Sequence, residues 1–71
     1  MSQFCVIISR FAIVGTTGID NGSQPAGKSE AVAFDVIDRS SMRTRHRDLS
    51  FWTAWEFCVS QLQAEKLSRL H

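Results

Sequence analysis

The sequence predicts a small α+β domain, a three-stranded and mostly antiparallel sheet followed by one C-terminal amphipathic helix, in the order β-loop-β-β-α. Three observations predict it. Phe4 to Val14 is a long, β-branched apolar run. Glu30 to Leu49 reads as two alternating segments around a polar turn. Residues 53 to 67 carry helix-start signals and then a helical apolar period.

The first run is apolar on both faces, with Cys5, Ile7, Phe11 and Ile13 on one and Phe4, Val6, Ile8, Ala12 and Val14 on the other. It is therefore the expected central strand. Its length exceeds the usual strand, so a bulge or bend is expected where Ser9 and Arg10 interrupt it.

Gly15 to Ser29 then supplies four glycines and a proline among Thr, Asn, Ser and Gln, the composition of a loop. With little to order it, residues 16–29 are expected to move on the nanosecond scale. Within it, GSQPAGKS from Gly22 to Ser29 fits the phosphate-loop spacing G-x-x-x-x-G-K-[ST]. A working phosphate loop has a buried strand directly before it and a helix N-terminus directly after it. Here Ile13 and Val14 lie too far upstream, a strand is expected after Ser29, and Pro25 removes a backbone donor. A surface loop is the better reading.

In the strand from Glu30 to Asp38, Val32, Phe34 and Val36 share one face, and Ala33, Asp35 and Ile37 the other. Asp38, Arg39, Ser40 and Ser41 have the side chains of a turn. Met42 to Leu49 would return antiparallel, with Arg43, Arg45 and Arg47 on one face and Thr44, His46 and Asp48 on the other. So polar a strand belongs at a sheet edge.

For the helix, Thr53 and Glu56 match a capping box, and Trp52 with Phe57 a hydrophobic staple. Ala54, Trp55, Cys58, Val59 and Leu62 form the apolar stripe of a helix from about Ala54 to about Leu67. Trp52 is the aromatic residue expected at the surface, beside the arginines.

A chain of 71 residues is one domain, near the lower size limit for a self-sufficient core. Its 44% hydrophobic and 21% charged residues are those of a globular protein. The apolar N-terminal run has no basic segment before it, and no membrane span or signal peptide is read, so a cytoplasmic monomer is expected. Cys5 and Cys58 read as thiols, although they are able to pair if they meet. With His46 and His71 they lack zinc spacing, so no metal and no cofactor are expected. No nucleophile accompanies His46, and an enzyme is not expected.

Charge is unevenly placed. Residues 1–38 carry two basic against four acidic side chains, and residues 39–71 six against three, for a net charge of +1. Arg39, Arg43, Arg45 and Arg47 make the excess and, with Trp52 and Arg10, are the candidate partner-binding residues. Guanidinium groups pair bidentately with carboxylates or phosphates, so the partner is an acidic protein surface or, alternatively, nucleic acid. The competing account is an edge strand whose charges serve solubility.

The general plan of the chain, above all DVIDRSSMRTRHRDLSFWTAWEFCVSQL, resembles small phage-encoded proteins that bind host RNA polymerase. The resemblance implies a non-enzymatic regulator, acting in the host cytoplasm, that inhibits transcription initiation or promotes antitermination. It assigns no site residue.

Overall fold

Apolar alternation and two polar turns fold the chain into a meander. The structure, a computed structural model, describes residues 3–69. Strands β1 (Cys5–Ile8), β2 (Phe11–Thr16), β3 (Ala33–Asp38) and β4 (Arg43–Leu49) each pair antiparallel with their sequence neighbours, in the order β1-β2-β3-β4. One helix, α1 (Phe51–Arg69), lies across one face. The α+β class, the antiparallel sheet and the C-terminal helix are as expected, but the sheet has four strands instead of three.

The extra strand comes from Ser9 and Arg10. The expected bend is a full reversal, in which Ile8 pairs with Phe11 and Ser9 takes a left-handed φ of 56°. A positive φ at the first central residue suits the twist of a two-residue hairpin. Folding back gives one half of the run a hydrogen-bonded partner in the other. β2 then becomes a central strand between β1 and β3, and β1 becomes an edge.

Register sets the faces. Val6 lies opposite Ile13, Ile13 opposite Val36, and Val36 opposite His46, so these four share the face under the helix. Phe11, Ile13 and Val36 are fully buried there against Ala54 and Cys58, with Ile8, Phe34, Leu49, Phe51 and Phe57 packed around them. Cys5, Ile7, Val14, Ile37 and Thr44 lie on the other face, away from α1. The alternation of Phe34 and Val36 against Asp35 and Ile37 is as expected, although β3 starts at Ala33 and Val32 is exposed before it.

The helix starts three residues earlier than expected. Ser50 is the cap: its carbonyl accepts from the Ala54 amide at 3.1 Å, and its Oγ from the Thr53 amide at 3.2 Å. Thr53 sits in the first turn, its hydroxyl 2.8 Å from Ser50 Oγ. The earlier start brings Phe51 into the core and turns Trp55 outward, contrary to the expected stripe. Ser50→Ala is expected to cost about 1 kcal/mol, the usual worth of a serine cap. Thermal melting checks this, with Thr53→Ala costing less.

Residues 17–32 carry a net of hydrogen bonds in place of an apolar core. Thr17 N–H donates to Gln24 O at 2.9 Å, Val32 N–H to Thr16 O at 3.0 Å, and Gly18 N–H to Thr16 Oγ1 at 3.1 Å. Ala26 wedges between the sheet ends, donating to Gly15 O at 3.1 Å and accepting from Phe4 N–H at 2.9 Å. That approach requires glycine at position 15, since a Cβ there would lie 2.9 Å from Ala31 Cβ and 3.0 Å from Ala26 O. Ser29 lies in a turn, and strand β3, not a helix, comes next.

Candidate functional site

β4 is the exposed edge that the arginines were expected to occupy, and every residue from Arg43 to Asp48 is exposed. Its alternation, however, is broken. Between Val36 and Ile37 on β3 the partner shifts by two, from His46 to Thr44, leaving Arg45 in a bulge. A second irregularity holds Arg47 and Asp48, with Asp48 at a φ of 59°. Each bulge inserts one residue and reverses the facing of the residues after it. Thr44 and His46, two residues apart, therefore lie on opposite faces, and His46 packs edge-on against Phe57 at 4.5 Å between ring centres. Arg43, Arg45 and Arg47 do not form the single-faced row expected from the sequence.

What the fold assembles instead is a basic end. The Ser9–Arg10 and Arg39–Met42 turns lie side by side, joined by a 2.7 Å bond from Arg39 N–H to Arg10 O. Arg39 also reaches Ser9 O, at 3.4 Å. Asp38, buried at the end of β3, is the shared anion, its Oδ2 lying 3.6 Å from both Arg10 Nε and Arg45 Nη1. Its Oδ1 accepts from Ser40 Oγ at 2.7 Å and Ser40 N–H at 3.0 Å. Arg10 continues to Glu65 on α1 at 3.3 Å and lies over the Phe11 ring at 5.0 Å. Arg10 and Arg45 thus flank Asp38 at one end of the molecule, with Arg39 on the adjoining turn and Arg43 opposite Asp38 at the start of β4.

Asp38 does more than the turn chemistry expected from the sequence. The Asp-x-Ser spacing does form the side-chain turn, but the same carboxylate also anchors both hairpins. The Ser40 hydroxyl bond, with the Ser40 amide and Arg10, lowers its pKa from the ordinary 3.8, against an opposing effect of burial. A carboxyl lowered by folding adds stability above its unfolded pKa and loses it as pH falls through the folded value. The Tm advantage of the wild type over Asp38→Asn is therefore expected to be full above pH 3.8 and to shrink below it. Melting both proteins through the acid range checks this.

Trp52 is not beside this cluster. β4 runs from Arg43, opposite Asp38, to Leu49, opposite Phe34, and α1 starts directly after it. Trp52, 70% exposed, is thus at the far end of the sheet, beyond the roughly 13 Å that separate Asp38 from Phe34 along β3. It caps an aromatic group in which Phe51 meets Phe4, Phe34 and Trp52 edge-on at 5.5–6.0 Å. Of the candidate arginines, Arg47 lies on the length of β4 between the two ends.

Cys5 and Cys58 are free thiols, Cys5 on the open sheet face and Cys58 beneath the helix. His71 lies outside the described residues. Among the described residues, no helix is long and apolar enough to cross a membrane. No family model matches the chain, and no curated protein or solved structure is significantly similar to it.

Proposed function

We propose that the protein is a non-enzymatic regulatory binding module whose recognition surface is the β4 edge with the adjoining basic turns. One observation carries this reading: β4 is a whole strand of exposed charge, bulged twice, so it presents side chains to a partner while refusing strand addition. Arg10 and Arg45 are oriented by Asp38 and Glu65 and Arg39 by the Ser9 carbonyl, while Arg43 and Arg47, exposed on β4, are the freer contacting groups. Such a surface suits a carboxylate-rich protein patch. On the resemblance in general plan, the first partner to test is bacterial RNA polymerase, with inhibition of initiation or antitermination as the outcome and a phage host-takeover factor as the biological role.

Direct nucleic-acid binding is the second reading, favoured by the same arginines. A net charge of +1 and a pI near 7.9 weigh against it, because phosphate binding grows with the number of backbone charges neutralised. Purified polymerase and duplex DNA, each titrated with the protein over a salt series, separate the two. The proposal expects saturable polymerase binding and altered transcription in a purified system. Binding to DNA alone, with a steep salt slope, contradicts it.

A further inference from the structure

The two edges of the sheet are built on opposite principles. β4 is charged and bulged, whereas β1 (Cys-Val-Ile-Ile) is uncharged, and its register with β2 is unbroken. Natural edges are normally protected by a very short strand, charge, proline, a bulge or a covering element, and β1 has only the first of these, its four residues. β1 has neither charge, proline nor bulge, and Ile7 is 57% exposed. From these observations, we propose that β1 pairs antiparallel with β1 of a second copy, joining two sheets into one of eight strands.

The backbone fixes the register of that pairing. Phe4 O accepts from Gly15 N–H at 2.9 Å, and Phe4 N–H turns to Ala26, so Phe4 faces inward. Directions alternate along a strand, so Val6 and Ile8 bond toward β2 while Cys5 and Ile7 direct their N–H and C=O groups outward. A two-fold axis through Val6 sets Cys5 of each copy against Ile7 of the other. All four outward-directed residues then exchange bonds. It also keeps the faces matched: Phe4 meets Ile8 on the helix side, and Cys5 meets Ile7 on the open side.

Absence of charge is what makes a second copy the fitting occupant. A strand pairing with itself brings like residues near like residues, so any charge it carried would repel its own image. Gln3 to Ser9 contains none. The same pairing at β4 would set arginine beside arginine. The interface is short, which places the dimer in the weak, concentration-dependent class. This inference departs from the monomer expected from the sequence, and it does not depend on the partner proposed for β4.

Sedimentation equilibrium of the full chain, from micromolar to several hundred micromolar, tests it. The expected result is a mass rising toward twice 8.0 kDa, with Ile7→Lys monomeric throughout and its circular dichroism unchanged. As a register probe, Cys5→Ser/Val6→Cys should form a disulfide dimer with oxidised glutathione. The Cα atoms of a non-hydrogen-bonded pair are about 4.5 Å apart, within disulfide reach. A wild type that stays monomeric at every concentration, or a dimer that survives Ile7→Lys, overturns the proposal. So does failure of the position-6 variant to cross-link while the wild type dimerises.

Discussion

Arg43→Glu/Arg47→Glu is expected to weaken partner binding by roughly two orders of magnitude while leaving the fold intact. Both side chains are exposed on β4; because Arg43 lies opposite Asp38, reversal there sets two carboxylates across the strand pair and is expected to cost about 1 kcal/mol or less, short of unfolding the domain. Reversal removes two cations and sets two carboxylates against the proposed acidic partner, so attraction becomes repulsion at two points. Arg45 is a less clean probe. Its guanidinium lies 3.6 Å from Asp38 Oδ2, and a glutamate there would place two carboxylates together and disturb the hairpin. Calorimetric titration against purified polymerase, paired with thermal melting, reads both halves of the expectation.

The second large effect is on folding. Phe11→Ala is expected to cost about 3–5 kcal/mol, the range for a buried phenylalanine. Phe11 is 1% exposed, meets Phe57 edge-on at 5.4 Å and carries the Arg10 guanidinium on its face. Its loss opens the core and frees the arginine that links the β1–β2 turn to α1. A chain of 71 residues has on the order of 4–10 kcal/mol of total stability. About a third or more of it is therefore at stake, and Tm should fall by at least about 12 °C. Urea titration gives the free energy directly, and Ile7→Ala, on the open face, should cost far less.

These outcomes rest on local features of differing legibility. Alternation was enough to place β3 and its faces, because Phe34 and Val36 differ so plainly from Asp35. The class and the terminal helix followed from the same periodicities. The Ser9–Arg10 turn was visible only as an interruption. Nothing in a serine signals a left-handed φ, and an apolar run on both faces fits one long central strand as well as a hairpin. The helix start was misplaced because Thr53 and Glu56 satisfy the capping formula, while Ser50, the residue whose Oγ takes the orphan amide, is followed three positions later by a threonine.

The site was harder to see than the fold. Two-residue spacing places Arg43, Arg45 and Arg47 on one face only if the strand is regular, and each bulge cancels that rule. Bulges are tertiary events, set here by His46 seeking Phe57 and by the Asp48 amide donating to Asp35 Oδ1 at 3.0 Å. Trp52 follows the arginines closely in sequence, yet a full strand length separates it from Arg43 in space. The shared carboxylate of Asp38 was in view, but its role emerges only once the two turns are adjacent.

Mapping the bound surface decides whether the β4 edge is where the partner docks. Amide resonances of the isotopically labelled protein would be followed while polymerase, or its partner-bearing fragment, is added. Selective loss or shift of signals is expected at Arg39 and from Arg43 to Asp48, with Trp52 and Trp55 unaffected. Perturbation centred on Trp52 and the start of α1, with the β4 signals unchanged, would contradict it.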